Sequence, residues 1–222
     1  MLKLIIGNRA YSSWSMRGWL ALKASGLPFE ELVVPLFDEG WEQRREGDEF
    51  SPSQGKVPVL WDGDTVVWDS LAIIEYCADL TSRDHFWPKN DSARGMARSM
   101  AAEMHASFPN LRRDLPMNVR RRFDPQTLSQ EVTAEINRIL TLWAQARARF
   151  GGTGDFLFGE YCAADIMYAP VVTRFITYNV PVPPFALAYM EAVVGHEDVL
   201  TWIEQAQDEP WVIDRYEEPA KT

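Results

Sequence analysis

Cysteine is nearly absent from this chain: Cys77 and Cys162 are the only two in 222 residues. Two thiols make a poor disulfide framework, and their spacing is not that of a metal site. Cys77 falls in an apolar helical stretch and reads as core. Basic residues are also scarce, with 22 Lys and Arg against 32 Asp and Glu and a formal net charge of -10. Nucleic acid and anionic membranes both call for a basic surface, so neither is an expected partner. The one basic run, Arg120-Arg121-Arg122, reads as a solvated loop or helix end. No apolar run reaches the length needed to span a bilayer. Met1–Ile6 is followed at once by Asn8 and Arg9, which does not read as a secretory leader. A reducing, cytoplasmic setting is the expectation, and no metal is expected. Repeats and low-complexity tracts are lacking too.

What is present falls into two textures. Residues 1–80 alternate strand and helix signals in the order β-α-β-α-β-β-α. Leu2–Gly7 reads as a strand, Ser15–Ser25 as a helix stopped by Gly26 and Pro28, and Glu31–Leu36 as an edge strand with Pro35 near its end. Trp41–Asp48 is weakly helical. Val57–Trp61 and Thr65–Trp68 flank Asp62-Gly63-Asp64, a hairpin signal that makes the sheet mixed. Leu71–Leu80 closes the unit as a helix. Residues 81–91 are polar and read as a linker. From 92 to 222 strand signals nearly vanish, and helical periodicity marks Ala93–Leu111, Ser129–Phe150, Ala163–Tyr178, Pro184–Val194 and Val199–Ala206. The expected architecture is an α/β domain followed by an all-helical bundle.

Three short runs carry chemistry. Tyr11-Ser12-Ser13-Trp14-Ser15-Met16-Arg17 lies where the first strand hands over to the first helix. Free amides and the positive end of a helix dipole gather there, so a hydroxyl either caps the helix or donates to an anion above it. Val57-Pro58 opens a strand. The proline is either an ordinary strand starter, or a cis bond that turns the Val57 backbone outward to pair with an extended peptide ligand. In Asp69-Ser70, Ser70 reads as the N-cap of the next helix, or as the ligand of a carboxylate at that helix end. Asp69 beside it suits an ammonium, and the pair suits an amino-acid zwitterion.

In this order, followed by a helical domain, the three runs resemble the glutathione S-transferase family over essentially the whole chain. The resemblance implies a thioredoxin-like N-terminal domain (βαβαββα) and a helical-bundle C-terminal domain. Ser12-Ser13-Trp14-Ser15 stands where thioredoxin-fold redox proteins carry Cys-x-x-Cys, so thiol binding is retained without disulfide exchange. In zeta- and tau-class transferases the working serine stands five residues before an arginine, and counting back from Arg17 gives Ser12 as the catalytic residue, with Ser13 the alternative. Val57-Pro58 is similar to the family's Val–cis-Pro pair, and Asp69-Ser70 to its acidic-Ser pair for the γ-glutamyl group. The implied glutathione-binding residues are Ser13, Lys56, Val57, Pro58, Asp69 and Ser70.

Further matches lie in the second part. Phe158–Ile166 resembles the family's N-capping box and hydrophobic staple. Cys162 replaces the usual Ser or Thr there, and a thiol is a weak acceptor, so Asp165 should carry the cap as a structural residue. Glu103-Met104-His105 with Phe108 resembles a beta-class motif lining the cleft. Trp14 replaces the cysteine that the zeta class carries two residues after its working serine; the substrate-binding arginine of that class would fall at Thr177, with Arg174 three residues short. Trp14, His105, Phe108, Arg112 and Arg174 are therefore the candidate electrophile-pocket residues. The resemblance implies a transferase that adds the glutathione thiol to a small electrophile, and a homodimer. The alternatives are a glutathione-dependent cis-trans isomerase of the maleylacetoacetate or maleylpyruvate type, and a non-catalytic binding protein of the same fold.

Overall fold

The computed structural model describes residues 1–219. Four strands form one mixed sheet in the order β2-β1-β3-β4: β1 (Leu2–Gly7), β2 (Phe29–Val34), β3 (Val59–Asp62) and β4 (Thr65–Trp68). β1 runs parallel to β2 and antiparallel to β3, and β3 and β4 pair as the expected hairpin. β1 is apolar on both sides because both are covered. Leu4 and Ile6 enter the main core, while Ile5 joins Val34, Trp41, Phe50 and Val59 on the opposite face. β2 is an edge strand as expected, but it ends at Val34. Pro35 lies just beyond it, where its missing N–H removes no ladder bond.

On the main-core face lie α1 (Ser13–Ser25) and α3 (Ser70–Leu80); α2 (Trp41–Arg45) is a short turn on the other side, next to Phe50. α1 ends on Gly26, whose φ of 68° is the left-handed C-cap conformation. Gly18 matters for a different reason. A Cβ there would stand 2.9 Å from Pro58 Cγ, so only glycine lets α1 lie this close to the loop that opens β3.

The segment read as a polar linker is anchored. It contains the short helix α4 (Arg83–Phe86), and Phe86 and Trp87 are buried in the core. The stretch read as one helix over Ala93–Leu111 is two, α5 (Asp91–Ala106) and α6 (Pro109–Asp114). Proline disfavours a right-handed helical conformation in the residue before it, and the helix is broken there, with Phe108 in a left-handed conformation at φ 64°. α7 (Gln130–Ala146) is capped by Ser129 and ends in a π turn, 147–151. α8 (Ala163–Thr177), α9 (Pro184–Gly195) and α10 (Glu197–Gln207) complete the bundle. α8 is buried along almost its whole length and packs against both α1 and α5. Its first turn is held as expected: Asp165 accepts from the Cys162 amide at 2.9 Å and the Leu157 amide at 3.2 Å. Residues 156–160 make two isolated β-bridges. One core cluster runs through both halves, from Leu4 and Leu20 through Ile74 to Met104, Trp143 and Phe175.

Candidate active site

Ser12 is the N-cap of α1. Its oxygen accepts the Ser15 N–H at 3.2 Å and lies 2.8 Å from Ser15 Oγ, which in turn accepts the Gly7 N–H at 2.9 Å. Capping engages only a lone pair. The two hydroxyls can pass their proton in either direction, because each also has an acceptor role filled by an amide. Ser12 Oγ is placed as the donor to Ser15 Oγ; when the pair reverses and Ser15 donates, the Ser12 proton is free for a third partner. Ser13 is held differently: its Oγ accepts from Arg174 Nη2 at 3.2 Å.

Ser12 and Ser13 open onto a cavity of about 920 Å³. Trp14, Lys56, Val57, Pro58, Asp69, Ser70, Arg112 and Arg174 line the same cavity, so ten of the residues singled out by sequence converge. The Val57-Pro58 bond is cis. Among the described residues the Val57 N–H and C=O enter no hydrogen bond outside the helices and strands, and Val57 lines the cavity.

The capping role expected of Ser70 falls to its neighbour. Asp69, not Ser70, is the N-cap of α3, and its Oδ1 accepts the Leu71 N–H at 2.9 Å. Both residue types cap well, and the choice is made by the backbone: Asp69 has φ 67° and ψ 149°, a region nearly closed to side chains other than glycine. Ser70 becomes the first helical residue. It is fully buried, and its hydroxyl has no hydrogen-bond partner. A buried orphan hydroxyl at a helix N-terminus is prepared for a ligand oxygen.

Positive charge gathers here from both halves, Arg17 from α1 and Arg112 and Arg174 from α6 and α8. Trp14 lies between two guanidinium groups, with Arg17 5.2 Å and Arg112 4.9 Å from its ring centroid. Arg17 is fully buried and donates Nε to the Met167 carbonyl at 2.9 Å; both of its Nη atoms lack partners. Arg112 donates to the Ser107 carbonyl at 3.0 Å and to the Met104 carbonyl, leaving Nη1 unpaired, and Arg174 leaves Nε unpaired. Burial, then the neighbouring Arg112, push Arg174 down to about 9; burial, then Arg112 and Arg174, lower Arg17 well below the usual guanidinium range. Three guanidiniums close together with spare donors form a site short of negative charge.

Two pocket candidates sit elsewhere. His105 packs edge-on to Trp14 at 5.3 Å and reaches Asp69 at 3.5 Å, behind the cavity wall rather than on it. Phe108 is buried in the core at the α5–α6 break and does not line the cavity. The beta-class likeness pointed to a wall, but Phe108 sits in the left-handed break before Pro109 with its ring in the core. The sequence reading missed Phe37, Ile213 and Tyr216, which also line the cavity. Ile213 and Tyr216 follow the last helix in a stretch without periodicity, and nothing local marks them. Among the described residues no group of three or more His, Cys, Asp or Glu could hold a metal ion, and no helix is long and apolar enough to cross a membrane.

Comparison with known proteins gives a consistent result. Residues 11–80 match the family model described as glutathione S-transferase, N-terminal domain. The chain is 33% identical over 109 residues to a probable maleylacetoacetate isomerase of Vibrio cholerae, a match spanning 49% of this chain and 50% of that protein. It is 26% identical over 180 residues to the mouse maleylacetoacetate isomerase, over 80% of this chain and 79% of that one. Among solved structures, a glutathione transferase homologue from Burkholderia with bound glutathione superposes with a TM-score of 0.70 at 23% identity, covering 94% of this chain and 99% of that one. A zeta-class maleyl pyruvate isomerase superposes at 0.69 with 23% identity, covering 93% and 99%. At these identities the superpositions speak for the fold.

Proposed function

We propose, from the premise that this chain belongs to the glutathione S-transferase family, that its cavity binds glutathione and stabilises the thiolate at the start of α1 for attack on a small electrophile. One observation carries the reading: Val57 with its main-chain groups unpaired, Ser70 with its orphan hydroxyl, Asp69 and Ser12 all line one cavity. Val57 pairs with the cysteinyl backbone of the tripeptide. Ser70 and the first amides of α3 take the γ-glutamyl carboxylate, and Asp69 takes its ammonium. Lys56 and Ser13 complete the binding set.

Ser12 then meets the sulfur. A free thiol with a pKa of about 8.5 is only about 3% ionised at pH 7, and the thiolate is the nucleophile. A hydrogen bond from Ser12 O–H to the anion contributes roughly 1.5–3 kcal/mol. The field at the α1 N-terminus adds about 0.3–1 kcal/mol. At about 1.4 kcal/mol per pKa unit the sum lowers the thiol by about one to three units, enough to ionise a large share of bound glutathione. Ser12 forms no covalent bond; the sulfur attacks, and the serine keeps its proton shared with it.

The unpaired donors of Arg112 and Arg174 favour an electrophile that carries a carboxylate. That gives the isomerase reading its support: the thiolate adds to a cis-dienoic acid to form a C–S bond and an enolate, the former double bond rotates, and the enolate collapses, breaking the C–S bond and releasing the thiolate unchanged. Maleyl-type acids turned over without net loss of glutathione establish isomerisation; stoichiometric consumption establishes conjugation. Calorimetric titration with glutathione tests the binding step, and absence of binding would leave only the non-catalytic reading. A homodimer is part of the proposal, and a monomeric sedimentation mass would refute that part.

A further inference from the structure

The loop that delivers Ser12 is held almost entirely from the other half of the molecule. The Arg9 N–H donates to Glu209 Oε1 at 2.7 Å and the Ala10 N–H to Glu209 Oε2 at 3.2 Å. The Arg9 carbonyl accepts Trp202 Nε1 at 3.1 Å, and the Ala10 carbonyl accepts the Val119 N–H at 3.1 Å. Next comes Tyr11, whose hydroxyl donates to Glu217 Oε1 at 2.5 Å and accepts Arg120 Nη2 at 2.5 Å. Thus three consecutive residues, ending one before Ser12, have these polar groups met by partners more than a hundred residues away in sequence. Only Asn8 works locally, accepting the Tyr11 and Ser12 amides on its carbonyl.

The clamp is itself fixed. Glu209 is buried, with the Arg9 guanidinium 3.9 Å away; Arg9 also bonds Glu31 on β2. Arg120 binds the main-chain carbonyls of Glu209 and Trp211, both at 2.8 Å. Asn118 binds the Tyr216 carbonyl at 2.8 Å and Glu217 at 2.9 Å. Ile213 and Tyr216, between the two acidic anchors, line the cavity. A loop left to itself is mobile, whereas a group that stabilises a developing charge must be held within about 0.5 Å of its working position.

We infer that Glu209 is a positioning residue for Ser12: the segment after α10, residues 208–217, clamps the β1–α1 loop through Glu209 and Glu217 and so sets how well the serine stabilises the thiolate. The inference rests on the role proposed for Ser12. Gln at 209 retains one acceptor, presents an NH2 group to the second amide, and removes the charge facing Arg9.

The test is the pKa of the glutathione thiol in the binary complex, read from thiolate ultraviolet absorbance against pH, for the wild type, Glu209→Gln, Ser12→Ala and the double variant. Glu209→Gln should raise that pKa by about one unit, a tenfold loss of thiolate below the pKa. The double variant should match Ser12→Ala alone. Affinity for S-methylglutathione, which has no ionisable thiol, should stay within about threefold of wild type, because the tripeptide backbone is held across the cavity. Amide exchange at Arg9 and Ala10 should quicken. A purely structural Glu209 would lower the melting temperature and leave the thiol pKa where it was; that result, with Ser12→Ala shifted, overturns the clamp alone. An unshifted Ser12→Ala overturns the serine reading and the clamp with it. Should Glu209→Gln fail to fold, Tyr11→Phe, which removes the second anchor, must show the same upward shift, and an unchanged pKa there refutes the inference.

Discussion

A buried hydroxyl without a partner destabilises the folded chain, and Ser70 is such a group. Ser70→Ala should therefore leave the melting temperature unchanged or slightly higher while weakening glutathione binding about five- to tenfold, in line with about 1–1.5 kcal/mol for one hydrogen bond. Calorimetry and a thermal melt on one preparation check both halves; undiminished affinity would remove Ser70 from the site. Arg174 follows the same logic with charge. It is buried, and Arg112 is close enough to push it down. Arg174→Met should stabilise the free protein, and lower kcat/KM for a maleyl acid at least about tenfold, with a smaller effect on an uncharged electrophile. Equal losses on both electrophiles would assign Arg174 to the support of Ser13 instead. That Ser12, Val57, Pro58, Asp69 and Ser70 gather at one cavity was legible in the sequence because each lies at a handover between elements, where backbone groups are left open. Which of Asp69 and Ser70 caps α3 was not legible, since it depends on the φ of 67° at Asp69 and not on side-chain type.

The elements themselves follow from local signals, with two exceptions that have local causes. Pro109 breaks a periodic stretch into α5 and α6, and Phe86 with Trp87 pins what reads as a polar connection. The N-terminus of α8 gives a prediction of its own. Burial pushes the Asp165 carboxyl up to about 6 against the pull of the Leu157 and Cys162 amides. Unfolded, the group titrates at about 3.9, so between about pH 4 and pH 6 the folded chain holds a proton that the unfolded chain has released. Stability from this group is therefore greatest at low pH, falls across that window by up to about 3 kcal/mol, and is level above it. The stability gap between wild type and Asp165→Asn should narrow by that route as pH rises from 4 to 6.5, in denaturant melts on the two proteins. A gap that widens instead would show that the amides win over burial. At α1, Gly18→Ala trades a gain in helix propensity of about 1 kcal/mol for a 2.9 Å contact with Pro58. A net loss of about 1–3 kcal/mol is expected, with weaker glutathione binding as the Val57-Pro58 loop shifts.

At the scale of the whole molecule the two textures of the sequence share one interior. α1 presents Leu20 to the same core cluster as Phe175 of α8, and Arg17 crosses from α1 to the Met167 carbonyl. Residues 1–80 expressed alone should therefore lack cooperative unfolding by circular dichroism, while the full chain melts in one transition; a folded fragment would contradict the shared core. This is also where the sequence is least informative. Glu209 and Glu217 act on residues some two hundred positions earlier, and Ile213 and Tyr216 reach the cavity without periodicity or spacing to announce them. Long-range polar contacts of this kind leave no local pattern to read. The most direct test of the account is a crystal structure of the glutathione complex. The sulfur should lie within hydrogen-bonding distance of Ser12 Oγ, with the cysteinyl backbone on Val57 and the γ-glutamyl carboxylate on Ser70. A sulfur seated on Ser13, or pointing away from both serines, would contradict it.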